Sequence, residues 1–235
     1  ALEPFPQAWL TKSIFKDEPL VHIGVVDNEG ESKMWNDVIV GQKVISSHWN
    51  RLEGNKYNIY TYTNADEVEL LVNGKSIGVQ KNSPDAKNRN TIFWKDIPFA
   101  PGKITAVARK DGKVVAQHEL ETTGKAVALT LETENPAWKA DGMDLQYARV
   151  YAVDDKGRKV PTANGEVTFD ISGGANLIAV DNGNHLSDEL FAGNKKPLHN
   201  GFAMAILRSG QTAGTVKFKA TAVGLKEIEK TFMVK

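Results

Sequence analysis

Residues 57–79, Tyr57 to Val79, read YNIYTYTNADEVELLVNGKSIGV, three short β-strands joined by two tight turns. Asn58 to Thr63 is β-branched and aromatic, a composition that fits a pleated, half-buried surface. Ile59, Thr61 and Thr63 alternate with Tyr60 and Tyr62, so the two sets belong to opposite faces. Asn64-Ala65-Asp66 is a turn cluster. From Glu67 to Val72 the alternation resumes, with Val68, Leu70 and Val72 expected toward the core and Glu67, Glu69 and Leu71 away from it. Asn73-Gly74 supplies two residues that tolerate positive φ, as a type I′ turn requires, and Lys75 to Gln80 is the return strand. Such a hairpin fixes a fold and carries no chemistry.

Upstream, residues 1–56 are the least regular part. Pro4 and Pro6 open an extended start. Gln7 to Phe15 is expected as a short helix or an irregular docking segment whose Trp9, Leu10, Ile14 and Phe15 need cover. Asp17-Glu18-Pro19 ends it. Leu20 to Val26 is a strand, and Asp37 to Ser46 contains two further apolar runs. Downstream, Lys81 to Asn90 is a polar loop, Thr91 to Trp94 a strand, and Lys103 to Lys110 with Lys113 to Glu121 a second hairpin around Asp111-Gly112. Thr122-Thr123-Gly124 marks a boundary. Beyond it, Val127 to Glu134, Leu145 to Val153, Glu166 to Ile171, Leu177 to Val180, Phe202 to Arg208, Thr215 to Ala222 and Glu227 to Val234 are strands, with a long polar loop from Asn182 to Gly201. The chain is therefore expected to be all-β, as two consecutive sandwiches over 1–124 (1–19 a lead-in) and 125–235.

Composition excludes several function classes. In 235 residues, 29 Lys plus Arg balance 29 Asp plus Glu, and neither half is polarised. A nucleic-acid or anionic-membrane partner needs a basic surface, which this balance does not supply. No apolar run approaches the ~20 residues of a membrane span. There is no cysteine, which removes disulfides, zinc–thiolate sites and thiol catalysis. The chain starts at Ala1 without a signal peptide, so a mature product or an excised segment is expected.

No nucleophile elbow, P-loop, zinc-protease helix, EF-hand loop or dinucleotide fingerprint occurs. The five histidines have no metal-ligand spacing, and no cofactor is expected. Glu67 and Glu69 share one face of a strand, but an open sheet face gives two carboxylates no cleft to work in. Asp181-Asn182-Gly183-Asn184 has the oxygen density of a calcium loop without its spacing and reads as a turn. Trp49 and Trp94 read as packing. Trp35, in the polar context ESKMWND, is the best candidate for an exposed ring that stacks on a sugar. Asn182, Asn184 and His185, at the start of the long polar loop, are the other candidate carbohydrate contacts.

SHWN (47–50) followed by NADEVELLVNGKSIG (64–78) resembles the domain that follows the catalytic barrel in glycoside hydrolase family 2, the β-galactosidase family. QAWLTKSIFKDEPLVHIGV (7–25) is similar to the passage leading out of that barrel. Ala140-Asp141-Gly142, Asp155-Lys156-Gly157 with Val160-Pro161, and VDNGNHLSDELFAGNKKPLHNG (180–201) resemble the C-terminal immunoglobulin-like domain of the same enzymes. The resemblance implies two immunoglobulin-like sandwiches that brace the barrel, a dimer or access to substrate. It implies that the catalytic glutamates lie on a barrel outside this sequence, since no position here matches their motifs. The partners it implies are the enzyme's own barrel, carbohydrate and a homo-oligomer, and the compartment it suggests is periplasmic or extracellular. Two other readings stand beside it: a carbohydrate-binding module, and an adhesin stalk, because the second half also resembles the immunoglobulin-like repeats of invasin-type proteins.

Overall fold

The structure is a computed structural model of the chain and describes residues 4–30, 33–35, 38–40, 43–184 and 187–235. The chain divides into two compact units, Ala1–Thr122 and Thr123–Lys235.

The first unit opens with α1 (Ala8–Phe15), then β1 (Val21–Asn28), a ribbon of β2 (Lys33–Trp35) and β3 (Val38–Val40), and β4 (Val44–Ser46). There follow β5 (Lys56–Thr63), β6 (Glu67–Val72), β7 (Lys75–Lys81), β8 (Thr91–Pro98), β9 (Lys103–Lys110) and β10 (Lys113–Glu121). Two antiparallel sheets form, β4-β1-β5-β8 and β10-β9-β6-β7. Alternation decides which side chains meet between them. Ile23 and Val25 from β1, Ile59 from β5, Val68 and Leu70 from β6, and Ile104, Ala106 and Ala108 from β9 are all fully buried in one cluster. Both hairpin turns carry positive φ at their two central residues, Asn73 (50°) with Gly74 (77°) and Asp111 (50°) with Gly112 (73°), as their strand twist demands.

Side chains of the Tyr57–Val79 stretch also tie distant parts together. Asn64 Oδ1 accepts from Leu20 N at 2.9 Å, and its Nδ2 donates to the carbonyls of Lys16 and Glu18, each at 2.9 Å. Asn73 Oδ1 accepts from Lys103 N at 2.7 Å. Trp49 is fully buried, edge-on to Phe99, and donates to Ala100 O at 3.1 Å.

The second unit holds β11 (Ala128–Thr133), β12 (Leu145–Val153), β13 (Glu166–Gly173), β14 (Ala175–Asp181), β15 (Lys195–Pro197), β16 (Phe202–Ser209), β17 (Gly214–Ala222) and β18 (Ile228–Val234). Its sheets run β11-β12-β16-β14 and β15-β13-β17-β18. Trp138, Phe169, Phe218, Val150 and Leu207 anchor their shared core. The 182–201 segment is not all loop. Lys195 to Pro197 pairs with Glu166 to Thr168, and Lys196 within it is buried, with only 2% of the residue exposed.

The lead-in segment corrects one expectation. It is helical, but its buried residue is Ser13, while Ile14 and Phe15 remain 53% and 78% exposed. Contact with the sheet runs instead through Pro6, Trp9 and Ser13. Gly24 makes this possible: a Cβ there would sit 2.7 Å from Ile45 Cγ2 and 3.1 Å from Pro6 Cβ.

Candidate functional site

The four residues singled out from the sequence fall in two places. Trp35 lies on β2 opposite Val38, and its side chain lies outside the described residues. His185 lies outside them entirely. Asn182 and Asn184 are brought together in the turn after β14. Asn182 is only 4% exposed. Its Nδ2 donates to Pro197 O at 3.0 Å and its Oδ1 accepts from Asn184 N at 3.1 Å. Asp181 Oδ1 accepts from the amides of Asn182 and Gly183. These polar atoms face inward and shape the loop. Among the described residues no group of three or more His, Asp or Glu converges as a metal would require.

Farther along, the loop is held by Lys196. Its ammonium pairs with Glu189 at 3.2 Å and lies 5.4 Å from the Phe191 ring centre. Leu190 and Phe191 are left 79% and 62% exposed at the tip. An open groove of 480 Å³ runs over β13, β17 and β18, lined by Asp170, Lys217, Lys219 and Glu229. Lys219 already pairs with Glu227 and Glu229, so it reads as a solvated charged face.

Two clusters in the first unit escaped sequence reasoning. In one, the Trp9 ring stacks on His22 (4.6 Å between centres, 10° between planes), and His22 lies 4.2 Å from His118. His22 Nε2 hydrogen-bonds Ser47 Oγ at 2.8 Å, and His118 Nδ1 accepts from Ile23 N at 3.2 Å. Burial first, and the neighbouring His118 second, lower the His22 pKa to about 3. Burial lowers that of His118 as well. Both rings are therefore neutral and structural, and they seat the lead-in helix on the sheet.

The second cluster lies on the same sheet face. Tyr60 and Phe93 are register partners on β5 and β8, and their rings are 5.0 Å apart at 45°. The Lys43 ammonium donates to Tyr60 Oη at 3.0 Å and pairs with Glu29 at 2.7 Å. Asn58 Nδ2 donates to the same carboxylate. The hydrogen bonds from Lys43 and Asn58 lower the Glu29 pKa, and the bond to Glu29 raises that of Lys43.

With this geometry in hand, likeness to known proteins becomes informative. Residues 129–231 match glycoside hydrolase family 2 C-terminal domain 5, and residues 54–116 match a domain of unknown function, DUF4982. A β-galactosidase of Bacteroides ovatus is 34% identical over 234 residues, which is 96% of this chain and 26% of that protein. A β-glucuronidase of Formosa agariphila is 32% identical over 195 residues, 80% of this chain and 19% of that protein. A solved glycosyl hydrolase family 2 member from Bacteroides cellulosilyticus superposes with a TM-score of 0.90 at 31% identity, covering 99% of this chain and 30% of that one. The chain thus spans about a quarter of the length of the first of these curated relatives. Two sandwiches matching one stretch of these enzymes, with the family's own C-terminal domain as the second, place the chain in glycoside hydrolase family 2, as its C-terminal β-sandwich region.

Proposed function

We propose that this chain is the non-catalytic C-terminal region of a glycosidase acting on β-galactosides or β-glucuronides, and that it braces the catalytic domain of the same enzyme. One observation carries the reading. The lead-in helix is pinned to its sheet through Trp9, Ser13 and Asn64, yet it turns Ile14 and Phe15 outward at 53% and 78% exposure. Large apolar side chains held out on an ordered element are the usual anchors of an interface. The sequence similarity of 7–25 to the passage leading out of the family's barrel supports the catalytic domain as the partner.

The test compares two proteins carrying Ile14→Ser with Phe15→Ser. In the full-length enzyme the pair of substitutions is expected to lower the melting temperature of the catalytic domain by several degrees. In this chain alone, where both side chains already face solvent, melting is expected to stay unchanged. An unchanged full-length enzyme would overturn the proposal.

A further inference from the structure

We propose that the outer face of the sheet β4-β1-β5-β8 carries a glycan-binding site, centred on Tyr60 and Phe93 and bordered by Lys43, Glu29 and Asn58. Gly24, Tyr60 and Phe93 form one row across three strands. Phe93 is 40% exposed in mid-strand, while its neighbours Ile92 and Trp94 are each 3% exposed and point into the core. The ring is thus displayed by a rigid scaffold. Lys43, Glu29 and Asn58 join in one hydrogen-bonded chain beside it, closed at its far end by Asp96 N donating to Asn58 Oδ1 at 3.0 Å.

The chemistry of this cluster matches a sugar. A pyranose offers an apolar C–H face and a rim of hydroxyls that both donate and accept. Phe93 and Tyr60 supply the apolar surface. The rim groups keep spare capacity. The ammonium has three donors with two engaged, the carboxylate has about four acceptor sites with two engaged, and the phenol that accepts from Lys43 still has its own O–H to donate. Lys43 and Glu29 are 41% and 50% exposed, so these groups reach solvent. The one lysine is neutralised by the one glutamate, which disfavours a polyanion such as nucleic acid. The Lys43 ammonium lies over both rings, 5.5 and 5.8 Å from their centres, so a sugar would stack on the exposed part of Phe93 beside it.

The site stands on this geometry, and only the choice of probes rests on the proposed glycosidase. The test is a backbone amide NMR titration of this chain with millimolar lactose and, separately, methyl β-glucuronide. Shifts confined to residues around 29, 43, 58–60 and 93 with either probe are expected. Phe93→Ala should weaken that binding about tenfold, Tyr60→Phe a few-fold, and Phe191→Ala not at all. Because Phe93 is exposed, its variant should keep the parent spectrum elsewhere. Silence with both probes overturns the site, as do shifts centred elsewhere or binding that survives Phe93→Ala. Neither outcome bears on the docking of the lead-in helix.

Discussion

Asn64 shows how much one side chain organises. Its single amide satisfies two C=O groups of the lead-in and the Leu20 N–H that follows it, 44 to 48 residues away in sequence. Asn64→Ala leaves Leu20 N without its partner and should cost about 1–3 kcal/mol, read as a lower urea midpoint together with faster amide exchange at Leu20. Unchanged exchange at Leu20 would refute that role. Leu70 is fully buried on β6, and Leu70→Ala should cost about 2–5 kcal/mol by the same denaturation measurement. A change near zero would mean the strand does not pack as described. The two residues differ in legibility. Leu70 was readable because its burial follows from local alternation. Asn64 read only as a turn former, because its partners lie far away in the chain and no spacing rule connects them. His22 and His118 looked scattered for the same reason, although the fold brings their rings, from strands of different sheets, to 4.2 Å.

Strands and hairpins were legible because their rules are local. Period-two alternation placed β5 and β6 within a residue or two, and the Asp-Gly turn placed β9 and β10, with Asn-Gly and Asp-Gly marking both turns. β15 was missed because three residues ending in proline within a polar loop carry no alternation, and a buried lysine stem is invisible to a hydrophobic pattern. The helix was one of two expected forms of Gln7 to Phe15, and of the side chains expected to need cover Trp9 finds it on His22 while Ile14 and Phe15 stay exposed in this chain. Apolar character pointed to Ile14 and Phe15, whereas the sheet beneath offers Gly24 and flat aromatic rings, onto which Pro6, Trp9 and the small Ser13 fit.

The seating of this helix should depend on pH. His22 titrates near 6.5 in the unfolded chain and at about 3 in the folded one, so the unfolded state binds the extra proton between those values. The stability this neutral ring contributes is complete above about pH 6.5 and is lost as pH falls toward 3. Urea midpoints at pH 7 and pH 4.5 should therefore fall less in His22→Phe than in the parent. An equal fall in both would contradict the assignment.

At the scale of the whole molecule, two cores of ordinary sandwich type need no chemistry to explain them. The first buries Trp49, Ile59 and Leu70, and the second Trp138, Phe169 and Phe218. Family membership was carried by the NADEVELLVNGKSIG stretch, whose asparagines turn out to be structural ties at both of its turns. The surface features were less legible. Exposure of Phe93, Phe191 or Phe15 depends on which neighbours fail to cover each ring, and only the folded chain shows that. On the proposed function this region supports a glycosidase without performing the hydrolysis. The most direct measurement is turnover of nitrophenyl β-galactoside and nitrophenyl β-glucuronide by this chain purified alone. No hydrolysis above the buffer rate is expected with either substrate. Saturable turnover that copurifies with the folded chain would contradict it.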